Sequence, residues 1–118
     1  MSITIHDLQR AAIQFRDDRD WKQFHKIKDL VLGLGIEVGE LGELVLWKQE
    51  SETAQQLKDP GFSQRLKEEL ADIQIFLLYL AESTGVDLTE AVQEKLILNG
   101  KKYPVDKSFG SAAKYTDL

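Results

Sequence analysis

The 118-residue chain carries 15 Lys and Arg against 20 Asp and Glu, a net charge of −5, with 42% hydrophobic residues and no cysteine. That length suits a single domain over residues 1–118 with a core of its own, and the absence of cysteine excludes disulfides, thiolate nucleophiles and cysteine-based zinc sites. The acidic balance argues against binding a nucleic-acid polymer, which needs Lys and Arg against phosphate; no apolar run reaches a membrane span, and Met1–Asp7 lacks the basic and apolar regions of a signal peptide, so a cytoplasmic location is the default expectation.

The pattern is helical throughout. Thr4 with Asp7 resembles a capping arrangement, and Leu8, Ala11, Ala12 and Phe15 mark one face of a first helix to about Asp18. Asp20 to His25 breaks that period and predicts a loop with two aromatics. A second helix is expected from about Lys26 to Gln49; apolar on nearly every side, it is the candidate for the central, most buried helix. Gly33, Gly35, Gly39 and Gly42 lie within it. Glycine in a helix costs about 1 kcal/mol relative to alanine, so these four point to close helix approach or to room for a ligand.

Asp59-Pro60-Gly61 predicts a break, with Ser63 as N-cap of a third helix over Gln64–Ser83 and Gly85 as its stop. Its apolar set is Leu66, Leu70, Ile73, Phe76, Leu77 and Leu80. Asp87-Leu88-Thr89-Glu90 is a capping box for a fourth helix that must end before Pro104. The remainder shows no sustained period and is basic from Lys101 to Lys114. The expected fold class is all-α, a four-helix-bundle-like arrangement with an extended basic C-terminal tail.

Two acidic pairs interrupt the apolar helices: Glu37 with Glu40, and Glu69 with Asp72. Residues three apart share a helix face. If the two helices pack together, four carboxylates converge, and their burial is costly unless something positive neutralises them. No Lys or Arg occurs between Lys28 and Lys48. A divalent cation that prefers oxygen, Mg²⁺ first, fits that need, and Mg²⁺ commonly takes substrate phosphates as further ligands. Ferritin-like iron chemistry requires Glu-x-x-His pairs, which are absent, as are an EF-hand loop, a Walker phosphate loop and a serine elbow. Metal-assisted phosphoryl chemistry remains.

Glu-x-x-Glu, 28 intervening residues, then Glu-x-x-Asp resembles the signature of the all-α nucleoside triphosphate pyrophosphatases, the MazG-like superfamily. The segments Arg19–His25, Gly35–Leu41, Trp47-Lys48, Glu68–Asp72, Asn99–Pro104 and Gly110–Leu118 are similar to its dCTP pyrophosphatase branch, so the resemblance covers about residues 8–118. It implies hydrolysis of a deoxynucleoside triphosphate to the monophosphate and pyrophosphate. Glu37, Glu40, Glu69 and Asp72 would then be the catalytic Mg²⁺ ligands. Trp21, Phe24, His25 and Trp47 would enclose base and sugar, with Lys22 and Gln23 in the same loop and Phe76 beside them. Asn99, Lys102, Lys114 and Tyr115 would reach the phosphates. It also implies a homo-oligomer, commonly a tetramer built as a dimer of dimers. Ala12 and Phe76 stand where the branch carries His and Tyr, which leaves base selectivity open. Other nucleotides (dUTP, an oxidised nucleotide, phosphoribosyl-ATP) stay as alternatives, and so does a non-catalytic helical module that holds a structural ion.

Overall fold

The computed structural model describes residues 2–118 and contains six α-helices and two 3₁₀ turns, with no strand among the described residues. Backbone contacts gather the chain into two units, Met1–Gly85 and Val86–Leu118. No helix is long and apolar enough to cross a membrane.

In the first unit, α1 (Ile5–Asp17) begins at a full capping box: Thr4 Oγ1 accepts the Asp7 N–H, and the Asp7 carboxylate accepts the Thr4 N–H. A 3₁₀ turn at Lys22–Phe24 leads to α2 (Ile27–Glu43), then α3 (Glu50–Gln56) and α4 (Pro60–Thr84). The 25-residue α4 is the organising helix, and both α1 and α2 pack on it. Gln9 Nε2 donates to the Leu78 carbonyl at 3.0 Å, and the Tyr79 hydroxyl donates to the Ala12 carbonyl at 2.8 Å. Arg16, only 2% exposed, bridges Asp17 at 2.8 Å and Glu82 at 3.0 Å. These three links fix the α1–α4 register.

Three sequence expectations change. The second helix ends at Glu43 rather than Gln49, and it is not the most buried: only Leu30 is fully enclosed, whereas α4 buries Phe62, Leu78, Tyr79 and Ala81. Apolar residues surround α2, but within the unit it has one main partner face, so Val31, Leu32, Ile36 and Val38 remain exposed. Asp59-Pro60-Gly61 starts α4 instead of breaking the chain: the Asp59 carboxylate accepts the Phe62 N–H, and Pro60 occupies the first helical position, where its missing donor costs nothing. The polar stretch before it forms the short α3, which has no apolar period to announce it.

Of the four glycines in α2, one is explained by packing. A Cβ on Gly33 would meet the Phe76 ring at 2.5 Å, while Gly35, Gly39 and Gly42 face open space. Gly85 stops α4 in the left-handed region at φ 73°.

In the second unit, the Asp87 carboxylate caps α5 (Leu88–Lys102) by accepting the Glu90 N–H. The short α6 (Val105–Ser108) and a 3₁₀ turn at Tyr115–Asp117 follow.

Candidate active site

Glu37 and Glu40 project from α2, and Glu69 from the facing stretch of α4. Each offers a carboxylate oxygen, and these oxygens lie within 4.8 Å of one another. None of the ion pairs among the described residues involves them. The Oε2 atoms of Glu37 and Glu69 are buried with no hydrogen-bond partner. Burial first, then the neighbouring charges of Glu40 and Asp72, push the Glu37 carboxyl up to about 7; burial and Glu40 raise Glu69 as well. Buried, unpartnered oxygens with raised affinity for a proton mark a site short of positive charge. An all-oxygen donor set of this kind fits a hard divalent cation. Asp72 stands outside the three-residue group, yet its charge acts on both Glu37 and Glu69.

Asp72 belongs instead to the wall of an adjoining cavity of about 720 Å³. Leu8, Ala12 and Phe15 of α1 form one side, Phe76 and Tyr79 of α4 another, and Trp21 and His25 of the loop a third. The loop is held by its own contacts. Trp21 meets Phe15 edge-on at 5.8 Å between ring centroids, and the Arg19 guanidinium lies 3.6 Å from the Phe15 ring centre. The Trp21 N–H donates to the Arg16 carbonyl, and Gln23 Nε2 donates to the Asp20 carbonyl and carboxylate. His25 rests on Tyr79 with centroids 4.7 Å apart, and its buried Nδ1 has no partner. Burial, and then the Arg16 charge, lower the His25 pKa, so its ring is neutral near pH 7.

Position along α4 thus orders the site. At about 100° per residue, Asp72, Phe76, Tyr79 and Ser83 share one face, with Glu69 one turn earlier. Carboxylates come first and the apolar chamber follows.

The expected site residues divide accordingly. Glu37, Glu40 and Glu69 converge, with Asp72 beside them; Trp21, His25 and Phe76 line the chamber, together with Ala12. Lys22 borders a neighbouring cleft. Gln23 is engaged within the loop, and Phe24 is 64% exposed, outside the chamber wall. Trp47 is 93% exposed and adopts φ 65°, a conformation unusual for a bulky side chain. Asn99, Lys102, Lys114 and Tyr115 belong to the second unit, where Lys102 Nζ lies 5.0 Å from the Tyr115 ring centre and Tyr103 meets that ring edge-on. Sequence reasoning missed Tyr79 and Gln74 of the chamber wall and Arg16 of the neighbouring cleft, although Tyr79 stands at the helical interval i+7 from Asp72.

The sequence profile of the MazG-like family matches residues 33–118, a span that holds both acidic pairs. The chain belongs to the MazG-like family. It is 46% identical over 115 residues to dCTP pyrophosphatase 1 of Mus musculus, covering 98% of this chain and 68% of that protein. The corresponding identity is 42% for dCTP pyrophosphatase 1 of Homo sapiens, with the same coverage. Among solved structures, a pyrophosphatase from Archaeoglobus fulgidus superposes with a TM-score of 0.78 at 34% identity, over 85% of this chain and 92% of that one. As a MazG-like chain it has the all-α fold that its motifs imply.

Proposed function

We propose that this MazG-like chain is a Mg²⁺-dependent nucleoside triphosphate pyrophosphatase that splits dCTP, or a modified dCTP, into the monophosphate and pyrophosphate. The class of enzyme rests on the family and on relatives that are themselves pyrophosphatases. The observation that carries the nucleotide reading is the join between chamber and acids: Asp72 lies on the chamber wall and acts electrostatically on Glu37 and Glu69. A base seated among Trp21, Phe76 and Phe15 directs its phosphates toward the carboxylates.

Glu37, Glu40, Glu69 and Asp72 are the residues that hold the cation. When bound, it neutralises charge on the triphosphate and lowers the pKa of the attacking water. The chain's own residues supply the rest. The aromatic wall excludes water from the base, and the neutral His25 offers a donor or acceptor at the chamber edge. Lys102, Lys114, Asn99 and Tyr115 are proposed as phosphate contacts. The 93% exposed Trp47 and the exposed apolar row Val31, Leu32, Ile36 and Val38 support a homo-oligomer, with a tetramer as the proposed form.

Ala12 and Phe76 both line the chamber. With a methyl and a plain ring at these two positions, it discriminates bases less sharply than a wall that hydrogen-bonds them. Substituted cytosines and other nucleotides therefore belong to the substrate range. The test is release of pyrophosphate against orthophosphate from each dNTP and from 5-methyl-dCTP, with Mg²⁺ or EDTA. Mg²⁺-dependent pyrophosphate release led by the cytosine nucleotides is expected. Orthophosphate release, or no turnover of any nucleotide, overturns the reading.

A further inference from the structure

Beyond the chamber, and sharing only His25 with its wall, the last turns of α4 border a second hollow. This cleft, about 480 Å³, is bounded by Arg16 of α1, Lys22 and His25 of the loop, Lys26 before α2, and Glu82 and Ser83 of α4. Its volume lies in the range of small-molecule sites. Ile27 completes the lining, and with Arg16 matched by Asp17 and Glu82 the unmatched positive charge of the cleft is that of Lys22 and Lys26. Glu82 is already engaged, accepting from Arg16 Nη1 at 3.0 Å. Neither Lys22 nor Lys26 has an ion-pair partner among the described residues.

The backbone adds to that charge. Lys26 is the N-cap of the 17-residue α2, and its side chain makes no capping bond. The first N–H groups of α2 therefore have no side-chain cap from that position, and the positive end of the helix dipole lies at the cleft. Asp29, the acid of that first turn, is not among the lining residues.

We infer that this cleft is a metal-independent binding site for a phosphate-bearing anion, separate from the carboxylate centre. Asp72 and Glu82 lie ten residues apart on α4, about 15 Å at the helical rise. A phosphate held at the acids therefore does not fill the cleft. Without a cation, the acids repel such an anion, whereas the cleft attracts it through fixed charges. The inference stands apart from the proposed hydrolysis, because the cleft keeps its charges whether or not the chain turns over a nucleotide.

The test is a titration of inorganic pyrophosphate into the full ¹⁵N-labelled chain in EDTA, followed by amide shifts. EDTA silences the metal route, so binding there reports on cationic surface alone. Saturable shifts at Lys22, Lys26 and Ser83 are expected. Lys26→Gln should weaken the affinity about tenfold, as for loss of one charge-assisted hydrogen bond, and Lys26→Arg should restore it. Lys26 is exposed and makes no cap bond, so both variants keep the fold, and the spectra verify this. Titration of dCMP in parallel separates the sources of the phosphate. Affinities are read at Lys26 and Ser83, outside the chamber wall: tighter pyrophosphate binding there assigns the cleft to the bare anion, and tighter dCMP binding there, unchanged by Phe76→Ala, shows that it also recognises a nucleoside. Absence of saturable binding, shifts confined to Lys101–Lys114, or Lys26→Gln binding like wild type overturns the inference.

Discussion

The two ends of α4 treat charge in opposite ways. Toward the C-terminus, the buried Arg16 guanidinium is matched by Asp17 and Glu82, both within 3.0 Å. Toward the N-terminus, Glu37, Glu40 and Glu69 crowd together with no cation, and two of their oxygens are buried and unpartnered. A matched charge is a fastener and stabilises the α1–α4 register. An unmatched cluster opposes folding, since burial and the neighbouring acids push the Glu37 carboxyl up to about 7, and the proposed cation would complete it. The chamber lies between these ends, with Asp72 on its wall.

The largest expected break in this comparison is at the acids. Glu40→Ala or Asp72→Ala should cut pyrophosphate release by about a thousandfold or more, as several kcal/mol of transition-state stabilisation goes with the cation. Folding should survive, because removing an unmatched acid relieves repulsion. Steady-state kinetics and a far-UV spectrum check both halves. Retained activity in either variant contradicts the ligand assignment.

Arg16→Met tests the opposite end and should reverse the pattern. Two carboxylates lose their partner, at a cost of about 2 kcal/mol; that is below the 3–5 kcal/mol of a fully buried pair because Asp17 and Glu82 keep solvent contact. Urea denaturation measures it. An unchanged midpoint contradicts the fastener role.

Gly33→Ala sharpens what joins the two ends. Its Cβ would meet the Phe76 ring at 2.5 Å, so ring or helix must move, at about 1–3 kcal/mol. Phe76 is a chamber wall, so KM for the nucleotide should rise as well. Gly35→Ala, facing open space, should instead stabilise by up to about 1 kcal/mol. Equal effects from the two substitutions contradict the close-approach account.

A smaller effect is the pH dependence of the metal-free protein. Glu37 binds its proton more tightly when folded than when unfolded, so its contribution to stability is fully present below the unfolded carboxyl pKa. That contribution is lost as pH rises through about 7. Thermal midpoints in EDTA should fall between pH 5 and pH 8, and Glu37→Gln should flatten the fall. A rise over that interval in wild type contradicts the unmatched-charge account.

Much of this was legible in the chain itself, where local chemistry governs. The Thr4–Asp7 box, the Gly85 stop and the Asp87 cap are decided within a few residues, and the structure has all three. The acidic pairs were legible because i, i+3 spacing on apolar helices leaves few other uses for them. Asp59-Pro60-Gly61 misled because the same residues that end a helix also begin one when Asp precedes Pro. The burial of α2 misled because an all-round apolar surface does not say how many partners a helix finds. Arg16, Tyr79 and the chamber were not legible, since they arise from the α1–α4 register, sixty to seventy residues apart in sequence.

The most direct test of the central contrast is thermal stability against Mg²⁺ concentration at pH 8, in wild type and Glu69→Gln. A cation that binds only the folded acids raises the midpoint by mass action. Wild type should therefore start low in EDTA and climb with Mg²⁺, whereas Glu69→Gln should start higher and respond little. A wild type indifferent to Mg²⁺, or an equal rise in both proteins, contradicts the account.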